Sequence, residues 1–315
     1  MQVIDVLKQA DKPVFSLEIT PPKKGESIQG IFDTIDMLKE FKLHFINVTY
    51  HQQRVVCTEK EGIIKKIPKR KNVGTVGICN AIKHKYGIET IPHLICSGFN
   101  KYDTEDALID LNFLGMENLL VLRGDPQPEE KEFVPEKEGY KYAYQLVKQV
   151  HNMNQGKYLE DLVNGYPTHF CIGVAGYPEK HWETPNMEQD LLNLKNKVDQ
   201  GADYIVTQMF FDVNKFKEFV KKARAIGINV PIIPGIKPFT NRKQLSSLPI
   251  NFHISLPQDL VQEILQASSK EAVRQAGIEY TIYICKELLK LDVPGIHFFS
   301  LGRGKDVWEV AKAIF

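Results

Sequence analysis

The chain has 315 residues, 43% of them hydrophobic and 25% charged, the composition of an ordinary globular protein. Forty basic residues against 39 acidic ones leave a formal charge of +1, which excludes the electrostatic footprint of a nucleic-acid binder. The five cysteines are scattered without CxxC spacing, the N terminus lacks a signal peptide's apolar core, and no apolar run approaches a membrane span of ~18 residues. The expectation is a reduced, soluble, cytoplasmic protein with no metal site and no membrane contact.

In chain order, short apolar β-rich runs alternate with longer amphipathic stretches. The runs are VFSLEI (14–19), FINVTY (45–50), IPHLIC (91–96), NLLVLRGD (118–125), FCIGVAGYP (170–178), YIVTQMFF (204–211), VPIIPGI (230–236) and IHFFSL (296–301). Between them lie helical patterns. In 187–202, Leu191, Leu194 and Val198 recur at three- and four-residue steps and Gly201 is a stop signal. In 212–227, Phe216, Phe219, Val220 and Ala223 share one face. The basic KKIPKRK at 65–71 reads as a solvated face, and 126–139 and 248–260 as non-barrel stretches after the fourth and seventh strands.

Strands apolar on both faces, each followed by a helix, imply a parallel sheet covered by helices. About eight such units match an α/β protein of the (β/α)8 TIM-barrel type, one domain over residues 1–315. A doubly wound sheet is the competitor, but no GxGxxG follows the first strand.

Active sites of such barrels form at the C-terminal ends of the strands, so the polar residues there are the candidates. They are Glu18, Thr49, His93, Arg123, Asp125, Tyr177, Gln208 and Arg303. Glu18 stands in an apolar strand whose exit is stiffened by Pro21 and Pro22. A carboxyl removed from water there could donate a proton at neutral pH, or serve structurally, paired to an Arg or to backbone amides. Asp190 and Asn193 lie one helical turn apart and Lys197 extends the stripe, which would face either a ligand or solvent.

The segments FSLEITPP, INVTY, IPHLIC, LVLRGD, VAGYPEKH, DLLNLKNKVDQGADYIVTQMFFD and IIPGIKP, in this order, resemble the successive motifs of the methylenetetrahydrofolate reductase family. The resemblance spans almost the whole chain. It implies an FAD-dependent barrel that reduces 5,10-methylenetetrahydrofolate to 5-methyltetrahydrofolate by ping-pong hydride transfer, with NADH, or else NADPH, as donor. It also implies a homo-oligomer and a supply of methyl groups for methionine synthesis. Glu18 matches the family's catalytic acid, Asp125 a carboxylate that contacts the pterin near the flavin, and Gln208 a glutamine that bonds folate and nicotinamide in turn. Thr49, His93, Leu122, Arg123, Gly124, Asp125, Ala143, Ala175, Tyr177, Asp190, Asn193 and Lys197 match positions lining FAD. Gln208, Gln244, Leu248, Leu301 and Arg303 match substrate-side positions.

Three positions depart from the family pattern. Asn196 stands where relatives often carry Arg, a contact that Arg242 could supply, and Phe299 and Gly302 replace the usual Tyr and Asn. With the sequence ending at Phe315, the expectation is a member without the S-adenosylmethionine-sensing domain that some members carry. Two rivals stand beside this reading. A cofactor-free lyase or aldolase would need a Schiff-base lysine, for which Lys237 is the nearest candidate. A flavin- or folate-binding module without turnover would not need the Glu18, Asp125 and Gln208 set.

Overall fold

The computed structural model describes residues 1–315 apart from 61–62, 128–129, 131 and 301, and leaves out most side chains between 54 and 68. Its barrel strands are β1 (Val14–Ile19), β2 (Leu43–Val48), β5 (Glu89–Ile95), β6 (Asn118–Leu122), β7 (Cys171–Gly176), β8 (Tyr204–Met209), β9 (Ile232–Ile236) and β10 (Gly295–Phe299). They close in the order β1-β10-β9-β8-β7-β6-β5-β2, and every neighbouring pair is parallel. The fold is the (β/α)8 barrel that the eight apolar runs predict, and each run overlaps one strand, with β2, β5 and β10 starting one or two residues earlier than expected.

Strand ends differ from the sequence expectation at the site itself. β6 stops at Leu122, so Arg123, Gly124 and Asp125 lie beyond the ladder in the loop that follows. A ribbon missing from the expectation, β3 (Arg54–Lys60) paired antiparallel with β4 (Ile63–Lys69), stands outside the barrel. It contains the basic run as far as Lys69, and Lys69, Arg70 and Lys71 are exposed. The non-barrel stretch expected after the seventh strand is partly helical. α8 (Gln244–Phe252) carries Pro249 inside it, and α9 (Gln258–Gln266) starts directly after Pro257 at its N-cap, where fixed φ favours initiation.

The other helices are α1 (Val3–Gln9), α2 (Gln29–Leu38), α3 (Thr75–Tyr86), α4 (Lys101–Phe113), α5 (Ala143–Asn154), α6 (Met187–Asp199), α7 (Val213–Ala225), α10 (Lys270–Leu289) and α11 (Gly304–Ile314). Of the predicted stripes in α6 and α7, Leu191, Leu194, Phe216, Phe219 and Ala223 are buried, and Val198 and Val220 are partly buried. These side chains pack in the large cluster that includes the outer faces of the strands.

The inner face forms a second, smaller cluster of Val14, Phe45, Ile91, Leu120, Cys171, Tyr204, Val206 and Ile233. Val3 of α1 belongs to it, and Ile4, Val6 and Leu7 pack against it, so α1 plugs the N-terminal end of the barrel. Side chains alternate across a strand. Stepping by two from this cluster toward the C-terminal ends reaches Ser16 and Glu18, Asn47 and Thr49, His93, Leu122, Ala175, Gln208 and, just past β9, Lys237. The apolar layer thus gives way to a polar one at one mouth. Among the described residues, no helix is long and apolar enough to cross a membrane.

Candidate active site

Three groups of side chains ring this mouth. The first surrounds Glu18, whose Cα pairs in register with Asn47 of β2 and Phe299 of β10. Glu18 is 8% exposed, and its Oε2 lies 3.5 Å from His93 Nε2 and 3.9 Å from His297 Nε2. Burial drives the His93 pKa down to about 4 against the opposing pull of Glu18, so this imidazole is neutral at pH 7. Ser16 Oγ lies 2.9 Å from His297 Nδ1. Thr49, at the end of β2, places its Oγ1 3.2 Å from His51 Nε2.

The second group follows β6 and β7. Gly124 has φ +87°, and a Cβ built there would stand 2.2 Å from Ser97 Oγ, so only glycine fits the turn. The backbone is then tied down. Asp125 O accepts from Gln52 Nε2 at 2.9 Å and from the Ser97 hydroxyl at 3.2 Å, while the Asp125 side chain is left exposed. The Arg123 guanidinium, rather than facing Asp125, forms a two-pronged pair with Glu183, Nη2 to Oε1 at 2.9 Å, and lies over the Phe133 ring. Burial pulls the Glu183 carboxyl upward, but the Arg123 hydrogen bond wins and holds it below the ordinary range.

Tyr177 sits among these charges. Burial raises its pKa, and Asp190, Asp125 and Glu183 push the same way against Arg123. Its ring meets His181 edge-on at 4.8 Å. In α6, Asp190 is buried and Asn193 is exposed, its Oδ1 accepting from Gln189 Nε2 at 3.2 Å. Lys197 donates to Ala175 O at 2.5 Å, and burial lowers its pKa to about 8 although Asp190 opposes this. The expected stripe therefore divides. Asp190 and Lys197 turn toward the barrel, whereas Asn193 lies toward solvent. Ala143, the first residue of α5, is half-buried.

The third group follows β8, β9 and β10. Gln208 is half-buried, and its Oε1 accepts from Met209 N at 2.9 Å beside an irregularity in the β8–β9 register. Gly235 lets the Phe299 ring approach closely, since an added Cβ would lie 2.6 Å from that ring. Lys237 is 7% exposed and makes no hydrogen bond or ion pair among the described residues. Burial and nearby Arg303 lower its pKa to about 8, against Asp306. Arg303 donates from Nη1 to Thr240 Oγ1 at 2.7 Å. Gln244 Oε1 accepts from Thr240 N at 2.7 Å and Asn241 N at 2.9 Å, so its oxygen braces the loop. Leu248 is 2% exposed and packs in the large core. Leu301 lies outside the described residues.

Arg242 is not available to replace the contact expected at Asn196. Its Nη2 caps the C terminus of α9, donating to Ile264 O, Leu265 O and Ala267 O. Gly302 has φ +79°, a conformation that glycine and asparagine both tolerate, so its substitution for the family's Asn preserves the backbone turn. Sequence reasoning missed Ser16, Asn47, Glu183 and His297. The signal for Ser16 and His297 was their two-residue spacing from Glu18 and Phe299. Glu183 had none.

A cleft of about 370 Å³ lies between α5 and residues 157–159, and apart from Glu105 and Gln200 its lining comes from residues 140–159. None of the mouth residues named above lines it. Among the described residues, no group of three His, Cys, Asp or Glu side chains could hold a metal ion.

A family model described as methylenetetrahydrofolate reductase matches residues 3–314. The chain is 31% identical over 318 residues to Methylenetetrahydrofolate reductase 1 of Schizosaccharomyces pombe, covering 98% of this chain and 47% of that protein. It is 30% identical over 301 residues to the 5,10-methylenetetrahydrofolate reductase of Salmonella typhimurium, covering 95% and 90%. It thus spans about half the length of its eukaryotic relatives and most of this bacterial one. Among solved structures, an uncharacterized protein from Clostridium thermocellum, described as binding two copies of 5-methyl-5,6,7,8-tetrahydrofolic acid, aligns at TM-score 0.59 and 15% identity. That alignment covers 99% of this chain and 98% of the other, and at such identity the likeness is one of fold.

Proposed function

The chain belongs to the methylenetetrahydrofolate reductase family, and from that premise we propose that residues 1–315 form a flavin-dependent catalytic barrel. In this reading it reduces 5,10-methylenetetrahydrofolate to 5-methyltetrahydrofolate with a reduced nicotinamide as donor. The observation that carries the proposal is Glu18, a carboxyl group 8% exposed at the mouth, with two imidazole nitrogens within 4 Å of its Oε2. A buried proton donor at the C-terminal end of a barrel strand is what opening the folate's five-membered ring requires.

The residues present suit FAD. His93 Nε2 is buried without a hydrogen-bond partner, a polar atom left unsatisfied at the mouth. Ala143 and Ala175 are small rim residues, and the glycine turn at Gly124 keeps side-chain bulk out of the β6 exit. Arg123 and Lys197 supply positive charge for a pyrophosphate, with Arg123 exchanging or sharing Glu183. Asp190 offers a buried carboxylate for a ribose hydroxyl. Bound FAD would supply the hydride-carrying chemistry between the nicotinamide and the folate, each of which would occupy the mouth in turn.

The chain's own groups do the rest. Glu18 gives its proton to N10 of the folate, so that the ring opens to an electrophilic iminium. Asp125, exposed at the mouth, accepts from the pterin's amino and ring N–H groups. Gln208 carries both a donor and an acceptor, which lets one side chain hold two unlike ligands in turn. Gln244 Nε2 and Arg303 face the distal part of the folate.

Relatives are named for both nicotinamides, NADH in Arabidopsis thaliana and NADPH in Caenorhabditis elegans. NADH is proposed here. Anaerobic stopped-flow measurement tests the reading: flavin absorbance should bleach with NADH and return with methylenetetrahydrofolate. Protein that binds no flavin, or reduced flavin that the folate fails to reoxidise, refutes it. One observation favours a second reading. Lys237, buried with a pKa near 8, has the amine a Schiff-base aldolase would use. A carbonyl substrate trapped on Lys237 by borohydride would establish that reading, and an unmodified Lys237 would remove it.

A further inference from the structure

Below the mouth, on the inner face of the barrel, Ser16, Glu18, Asn47, His93 and His297 form a polar cluster. Ser16, Asn47 and His297 have no exposed surface, and His93 is 6% exposed. Asn47 Nδ2, Asn47 Oδ1, His93 Nε2 and His297 Nε2 are all buried without a hydrogen-bond partner. Protein interiors rarely leave such atoms unpaired, and those left so call for a functional account. Both orphaned imidazole nitrogens face the same atom, Glu18 Oε2, at 3.5 Å and 3.9 Å, beyond hydrogen-bond length but within reach of a small closing movement.

The tautomer of His297 follows from Ser16. The Ser16 hydroxyl is fully buried, and its recorded partner is His297 Nδ1 at 2.9 Å. If Nδ1 carried the proton, the Ser16 hydroxyl would have to accept, and its own hydrogen would be buried without an acceptor. The hydroxyl therefore donates to Nδ1, and the imidazole proton sits on Nε2, facing Glu18. From the other strands, neutral His93 faces the carboxyl from β5 and the uncharged Asn47 amide from β2, while His51 acts on His93 from beyond β2. Among the described residues no Lys, Arg or second carboxylate pairs with Glu18.

We propose that His297, held by Ser16, is a positioning residue that presents an N–H to Glu18 and makes it a stronger proton donor toward folate. The inference rests on the reading of Glu18 as the acid. When Glu18 passes its proton to N10, the O–H bond breaks and the carboxylate left behind is met by His297 Nε2–H, which keeps its own proton. Without that N–H the carboxylate left behind is stabilised less, so Glu18 gives its proton up more reluctantly.

The test is single-turnover reoxidation of reduced holoenzyme by methylenetetrahydrofolate, followed from about pH 5.5 to 9. Ser16→Ala should lower the acid-side plateau ~3-fold. It should also move the falling limb of the profile to higher pH by about one unit, the equivalent of ~1.4 kcal/mol. Ser16→Thr, which keeps the hydroxyl, should restore the wild-type limb, and His297→Gln should behave as Ser16→Ala or more severely. A plateau lowered equally at every pH, with the limb unmoved, makes the pair merely structural and overturns the proposal. Should the His297 variant fail to fold, nitrogen NMR of wild-type histidines decides: a His297 resonance with the proton on Nε2 supports the proposal, and one on Nδ1 overturns it. If Glu18→Gln leaves reoxidation unslowed, the reading of Glu18 itself falls. If Glu18→Gln slows it while the Ser16→Ala limb stays in place, only the role of His297 falls.

Discussion

Gly124→Ala is the perturbation whose cost the structure specifies most closely. The backbone there has φ +87°, which costs an L-residue about 1–2 kcal/mol. The new Cβ would stand 2.2 Å from Ser97 Oγ and 3.0 Å from Ser97 Cβ. Ser97 cannot swing away freely, because its hydroxyl donates to Arg123 O at 3.3 Å and Asp125 O at 3.2 Å. Overpacking of this kind typically costs about 1–3 kcal/mol. The expected loss of unfolding free energy is therefore about 2–5 kcal/mol, a large part of the ~5–15 kcal/mol that holds a domain together. Urea unfolding in two backgrounds separates the contributions. In Ser97→Ala protein the hydroxyl clash is gone and only the milder Cβ contact remains, so Gly124→Ala should cost little beyond the backbone strain of about 1–2 kcal/mol. Equal losses in both backgrounds, or a loss below ~1 kcal/mol in the first, would refute the reasoning that glycine is there to fit.

Other substitutions separate binding from chemistry. Gln208→Leu should impair both flavin reduction by NADH and reoxidation by folate in stopped-flow assays; a defect confined to one would contradict a shared ligand site. Asp125→Asn should weaken folate binding and raise the flavin's reduction potential, measured by dye equilibration. If the exposed Asp125 were only a surface charge, neither would change, and stability would shift by no more than ~1 kcal/mol. Burial holds the Lys237 pKa down to about 8 from 10.5, so its charge burdens the fold fully below pH 8 and the burden lifts as pH rises to 10.5. Lys237→Met should therefore stabilise the protein at pH 7, by at most ~3 kcal/mol, and flatten the rise of stability across that window in urea titrations. An unchanged slope would mean that the ammonium is not burdened.

The barrel was legible in the sequence because a parallel strand buried on both faces leaves a nearly continuous apolar run, as 232–236 does. The ribbon at 54–69 was not, since it stands off the barrel and its lysines mask any alternation. Nor was α1 as a plug, because seven residues give too little periodicity to assign a partner. At the site, Glu18, His93 and Gln208 were visible as polar residues in apolar runs. Ser16, Asn47 and His297 were equally polar and equally enclosed. Their meaning appears only when the sheet closes and brings β1, β2, β5 and β10 side by side. The Arg123–Glu183 pair joins residues 60 apart across two loops, a contact that no local pattern encodes.

The central claim is that Glu18 protonates the folate and takes no part in loading the flavin with electrons. Anaerobic stopped-flow on Glu18→Gln holoenzyme measures the two half-reactions separately. The account predicts flavin reduction by NADH close to the wild-type rate and reoxidation by methylenetetrahydrofolate slowed at least ~10²-fold, the usual cost of a lost general acid. Equal slowing of both half-reactions would contradict it and assign Glu18 to cofactor binding or to the fold.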